Sequence, residues 1–106
     1  MKLYFSPCPN DTFIFHALVH GLIPNTPSFD VTYADIDVTN HLAVEANGPD
    51  ILKISFAALP YIHESYQLLP CGGALGRGFG PLVLAKEEVD PASLSGKRVA
   101  VPSEKS

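Results

Sequence analysis

No apolar run in this 106-residue chain approaches the length of a membrane span. The N-terminus has one lysine and then only Leu3, Tyr4 and Phe5 before Ser6-Pro7, too little for a signal-peptide core. Basic residues are few: seven Lys and Arg face eleven Asp and Glu, for a net charge of −4 with the histidines neutral. Lys97-Arg98 is the single adjacent basic pair, so no cluster stands ready to neutralise phosphates. That argues against a nucleic-acid surface. Cysteine is limited to Cys8 and Cys71, without a C-x-x-C spacing. A disulfide-dense scaffold is thereby excluded. One Cys8–Cys71 bond stays open, but free thiols in a reducing cytosol are the simpler reading, and the expected location is cytoplasmic. There is no internal repeat and no low-complexity tract.

What is present describes a globular domain. Hydrophobic residues make up 46% and charged residues 17%, enough apolar content for one small core. The most distinctive stretch is Leu69–Pro81, in which five of thirteen residues are glycine. Glycines bare the backbone N–H groups and tolerate positive φ. Arg77 stands between Gly76 and Gly78, with Leu75 and Phe79 beyond. A guanidinium placed there can offer its planar fork to a carboxylate. The plainer alternative is a hairpin loop between two strands.

Along the chain, Lys2–Phe5 reads as a short buried strand. Pro7 and Pro9 then hold the backbone extended, and Asn10 or Asp11 is expected to cap a helix running from Thr12 to His20. Its apolar stripe is Phe13, Ile14, Ala17 and Leu18, Gly21 suits the position after the C-cap, and Pro24 blocks continuation. Residues 29–34 alternate as a half-exposed strand. A second helix starts near Asp37, with Leu42, Ala43 and Ala46 on one face, and ends at Asn47-Gly48-Pro49. Asp50–Ile54 is a second core strand. Ser55 is a candidate N-cap for a short helix from Phe56 to Glu64 that Pro60 kinks or shortens. Strands are expected at 66–69, 81–86 and 97–101, with a turn or short helix at 89–96 carrying Pro91 in its first turn. Alternating strands and helices predict an α/β fold with a mainly parallel sheet. In such sheets ligands gather at the carboxyl ends of strands. Ser6–Thr12, Ser55–Phe56 and Leu69–Gly80 all follow strands and are expected to meet at one crevice. Val99-Ala100-Val101-Pro102 looks like the start of a further unit.

Four groups of residues bear on chemistry. Cys8 lies near a helix N-terminus, which favours a thiolate, yet no histidine is close in sequence to act as base. A small thiol shaping a tight turn is the better reading, with Asn10, Asp11 and Thr12 fixing the loop or turning a side chain to a ligand. His16 and His20 are one helical turn apart, but Ala17, Leu18 and Val19 between them include no acid, and no further ligand has metal-site spacing. They read as helix-surface histidines, so no metal is expected. Lys53-Ile54-Ser55 brings a cation, a hydroxyl and a helix start together. It suits either an anion or simply an N-cap serine beside a lysine reaching for water. The glycine loop lacks the Gly-Lys-Ser/Thr ending of a P-loop, and a strand is expected after it, so it is not a dinucleotide fingerprint either. A small carboxylate fits it better than a nucleotide phosphate.

Ser6–Ala17, Lys53–Ser55 and Cys71–Leu82 together resemble the 1,4-dihydroxy-6-naphthoate synthases of the futalosine route to menaquinone, and the resemblance runs from residue 1 to residue 102. It implies two α/β lobes of the type II periplasmic-binding-protein kind, with the ligand between them. Residues 1–98 would form the first lobe, incomplete, and 99–106 the start of the crossover to a second lobe. In this fold the first lobe receives chain returning from the far end, so uncovered apolar surface is expected. The implied activity is a lyase that needs no metal or organic cofactor and acts on cyclic dehypoxanthine futalosine, a substrate with an aromatic carboxylate. Positions matching Lys53, Ile54 and Ser55 line that substrate site; Asn10, Gly76, Arg77 and Gly78 are expected to join them. The family's threonine pair and its general-base histidine fall beyond Ser106. None of His16, His20, His41 and His63 sits in the matching context, and no catalytic residue is assigned. The chain alone is therefore expected to be inactive. Other readings are a carboxylate-binding lobe without chemistry, a remnant of the gene, or the chorismate dehydratase of the same pathway. A homodimer is possible.

Overall fold

The computed structural model describes residues 1–45, 47–78, 80 and 82–101. Its centre is a three-stranded parallel sheet flanked by helices. Strand β1 (Lys2–Phe5) lies in the middle, β2 (Asp30–Tyr33) on one side and β3 (Ile51–Leu52) on the other. Leu3 pairs with Val31 and with Ile51, and Phe5 with Tyr33. Leu3 and Phe5 are each 1% exposed. The strand that buries Leu3 and Phe5 takes the central place, where both of its edges are paired. The ladder continues past β3, where the Lys53 N–H donates to the Tyr4 carbonyl at 2.9 Å. At the other end, the Asp50 carboxylate accepts from the Lys2 N–H at 2.7 Å and pins the start of β1 to β3.

Helix α1 (Pro9–Val19) follows β1, and helix α2 (Ile36–Val44) follows β2. The chain passes from β1 to β2 on one side, then returns across β1 to reach β3. The direction of winding therefore reverses between β1 and β3, and the crevice of such a sheet opens at the carboxyl ends of those two strands.

Helix α1 begins earlier than its sequence signals suggest. Cys8, not Asn10 or Asp11, is the N-cap, and Pro9 occupies the first turn, where its missing N–H costs nothing. The helix is also rotated from the expected stripe. Phe13 is 84% exposed, while Asp11 is 2% exposed and faces the core. Placing Asp11 inward brings Phe15, one turn on, against Phe5 with ring centroids 4.6 Å apart. Phe5 also meets Tyr33 edge-on at 5.2 Å. The expected end holds: Gly21 has φ +63°, its N–H bonds the Leu18 carbonyl, and the Leu22 N–H bonds the Ala17 carbonyl at 2.8 Å. Those two bonds define a Schellman cap.

Helix α2 buries Thr39, Asn40 and Ala43; Ala46, expected on the same face, lies outside the described residues. A 3-10 helix (Phe56–Tyr61) contains Pro60 and follows Ser55, with Ala58 and Ile62 buried beyond β3. Pro60 shortens the expected helix to Glu64. A second 3-10 turn (Pro91–Leu94) is capped by Asp90, whose carboxylate accepts from the Ala92 N–H at 2.9 Å. The strands expected at 66–69 and 97–101 do not form, nor does one at 82–86; Pro81 lies outside the described residues. Leu82 and Leu84 are 85% and 90% exposed. A strand requires a neighbour's N–H and C=O groups, and among the described residues no ladder forms with these segments.

Candidate functional site

The crevice is built where β1 and β3 end. Beyond Phe5, the chain turns through Ser6-Pro7-Cys8 into α1. The Ser6 N–H donates to Asp11 Oδ2 at 3.3 Å, so the third helical residue reaches back to the strand end. Asp11 Oδ1 accepts from Lys53 Nζ at 2.5 Å, across from the end of β3. One carboxylate thus ties β1, α1 and β3 together. The Asp11 side chain is 2% exposed and that of Lys53 19%, so the ammonium lies at the wet end of the pair. It retains two further N–H donors after meeting Asp11.

Two residues on, Ser55 is gripped by Asn40 of α2. Asn40 Oδ1 accepts the Ser55 N–H at 2.9 Å, and Asn40 Nδ2 donates to Ser55 Oγ at 3.1 Å. Asn40 is fully buried, and the grip orders the loop after β3. Ser55 occupies the N-cap position of the 3-10 helix, but its side chain makes no cap bond. Its own N–H is already given to Asn40 Oδ1. The hydroxyl and the lysine head are what remain for a ligand.

Of the residues expected at the site, Lys53, Ile54 and Ser55 stand together at the end of β3, all partly buried. Asn10 lies in the first turn of α1 and is exposed. Gly76, Arg77 and Gly78 are exposed, and among the described residues no hydrogen bond or ion pair joins Arg77 to the crevice. The glycine loop does use its conformational freedom, with φ of +78° at Gly72 and +73° at Gly78. Its beginning lies over α1: a Cβ on Gly72 would meet the Phe15 ring at 3.4 Å. Phe79 lies outside the described residues.

Cys8 is exposed, and Ser6 Oγ donates to its sulfur at 2.8 Å, a turn-shaping contact with no base in it. The His16 and His20 rings lie 4.5 Å apart on the outer face of α1. Among the described residues no three His, Cys, Asp or Glu side chains gather to hold a metal ion. A shallow apolar depression on that outer face, lined by Pro9, Thr12, Phe13, His16 and Ala17, does not include Lys53 or Ser55. Among the described residues no helix is long and apolar enough to cross a membrane.

Sequence reasoning missed Asn40 and read Asp11 as a cap, a loop residue or a side chain turned to a ligand, not as the partner of Lys53. A signal existed for the first: Asn40 lies three residues before Ala43, on the stripe that α2 buries, where a polar side chain needs a fixed partner.

Fold and site together define a parallel α/β fold with a cluster of bonded polar side chains at the reversal of its strand order. The sequence profile of a family described as "Menaquinone biosynthesis" matches residues 1–106. The chain is 58% identical, over all of its 106 residues, to a protein of Streptomyces coelicolor named 1,4-dihydroxy-6-naphtoate synthase, of which it covers 36%. A Thermus thermophilus protein of the same name is 46% identical over 102 residues, which are 96% of this chain and 36% of that protein. The chain belongs to the menaquinone biosynthesis family and spans about a third of the length of these relatives.

Proposed function

We propose that residues 1–98 form the first lobe of a 1,4-dihydroxy-6-naphthoate synthase, a lyase that releases the bicyclic naphthoate from cyclic dehypoxanthine futalosine. The observation that carries this reading is the 58% identity to a synthase of that name along the whole chain. In this reading the fold is half of a type II periplasmic-binding-protein pair of lobes. Residues 99–106 lead towards the second lobe; 102–106 lie outside the described residues. Lys53 and the Ser55 hydroxyl bind the aromatic carboxylate, and Ile54 supplies apolar wall to the ring. Asn10 stands at the lip of the crevice, and Gly76, Arg77 and Gly78 close over the ligand from the glycine loop. Lys53 acts as an oriented donor and not as a free cation, because Asp11 already balances its charge. Binding by directed N–H and O–H groups suits a ligand whose charge is spread over a carboxylate.

The proton-accepting histidine and the water-excluding second wall belong to sequence outside these 106 residues, so this lobe binds and orients and does no bond breaking. No cofactor enters this reading. The test is a pair of assays with purified protein. The product of the complete reading frame is expected to convert cyclic dehypoxanthine futalosine to the naphthoate, whereas the 106-residue chain gives no product above a protein-free blank. Turnover by the short chain would remove the division of labour between lobes. Failure of the complete product to turn over would remove the activity itself. Size-exclusion chromatography of the same samples separates monomer from homodimer.

A further inference from the structure

Asn40 holds Ser55 by two bonds of opposite polarity, and together they fix which way the serine hydroxyl can act. The Ser55 backbone N–H is a donor and nothing else, so the atom of Asn40 facing it at 2.9 Å must be the carbonyl oxygen Oδ1. That assignment removes the freedom to flip the amide. Nδ2, a donor and nothing else, is then forced against Ser55 Oγ at 3.1 Å. The hydroxyl oxygen accepts there, and its own hydrogen is left to point elsewhere. Among the described residues the Ser55 hydroxyl donates to no acceptor, and its oxygen takes no N–H of the 3-10 helix that follows.

We infer that Asn40 is a positioning residue that sets Ser55 as a hydrogen-bond donor towards the crevice, and so selects a ligand group that accepts, such as a carboxylate. The inference rests on the reading that Ser55 meets the ligand. It adds a cause for ligand polarity that neither Ser55 nor the lysine supplies alone. A serine at a helix start ordinarily offers both a hydrogen and a lone pair. Here the buried amide behind it removes one lone pair and orients the rest. Lys53, two residues earlier and also donor-only, presents the same polarity. The crevice therefore carries two side chains that give hydrogens.

Replacing Asn40 by Asp keeps the shape and still accepts the Ser55 N–H. It also turns Nδ2 into an oxygen that accepts the Ser55 hydrogen, reversing the hydroxyl. Affinity for 1,4-dihydroxy-6-naphthoate, measured by titration of the complete reading-frame product, serves as readout. Ser55→Ala is expected to weaken binding about tenfold or more, the loss of a hydrogen bond to a charged group. Asn40→Asp is expected to weaken it at least as much in the presence of Ser55. In the Ser55→Ala background the same change should do markedly less, only what the added carboxylate does at a distance. An equal loss in both backgrounds would mean repulsion alone and would overturn the inference while leaving Ser55 as a ligand contact. No effect of Ser55→Ala would overturn both. Should Asn40→Asp fail to fold, the Asn40 side-chain amide observed by NMR gives a second test. One Nδ2–H resonance is expected to move upfield in Ser55→Ala, and an unmoved pair would show that no bond to Oγ existed.

Discussion

Two polar groups meet at the carboxylate of Asp11, in the first turn of α1: the Ser6 N–H and the Lys53 ammonium. Their arrangement makes the two halves of the ion pair unequal. The Lys53 side chain is 19% exposed and its head can turn to water if its partner is lost, whereas the Asp11 side chain, at 2%, cannot. Lys53→Met is therefore expected to cost about 3 kcal/mol, the range for stranding a buried charge, and Asp11→Asn about 1 kcal/mol. Urea unfolding midpoints of the two variants check this; equal losses would contradict the asymmetry. A second residue-scale case is Tyr66, which donates to the Pro49 carbonyl at 3.2 Å. Burial first, and the nearby Asp50 charge second, raise its phenol above the ordinary 10.0. The folded protein thus holds this proton to higher pH than the unfolded chain. The stabilisation is whole below pH 10 and is lost as pH rises through the raised folded-state value. Tyr66→Phe should lower Tm at neutral pH by an amount worth about 1 kcal/mol, and the gap from the parent should narrow in melts taken above pH 10. A gap independent of pH would contradict the assignment.

The elements show which local signals suffice. Helix α1 stops where Gly21 says it should, because positive φ at that point is a property of one residue and its two neighbouring amides. Nothing lies within 4 Å of a Cβ placed on Gly21, so Gly21→Ala strains the backbone without a clash. The change should cost about 1 kcal/mol, with Gly21→Asn milder, as read from thermal melts. The start of the same helix was less legible. Both a polar cap and a proline in the first turn are acceptable beginnings, and only the inward pull on Asp11 chooses between them. That same pull turns Phe13 out and Phe15 in. The strands read at 66–69 and 97–101 had the right composition, but a strand is half of a pair and the missing half is a matter of chain far away.

At the scale of the molecule, the radius of gyration is 16.9 Å, against about 13 Å for a compact chain of this length. The long axis of 56 Å is twice the next, at 28 Å. Residues 2–62 carry the sheet, its helices and the buried side chains, whereas the chain from Gln67 onwards is exposed almost throughout and presents Leu75, Leu82 and Leu84 to solvent. Amide hydrogen exchange on this chain should show slow exchange in β1 and rapid exchange through residues 82–90. Uniform protection would mean that the later segment has a partner surface after all.

The alternation of strands and helices, the parallel sheet, the cap at Gly21, and the grouping of Lys53 with Ser55 after a strand were all determined by the sequence itself. The elements, the cap and the grouping depend on residues close in sequence, and the parallel pairing on strands that alternate with crossover helices. Tertiary structure alone decided that Asp11 meets Lys53 across 42 positions and that Asn40 meets Ser55 across 15. Those pairings follow from the 2-1-3 order of the strands, which brings the ends of β1 and β3 together. Polar side chains buried there must find partners, and the sequence names the groups without saying which will be neighbours.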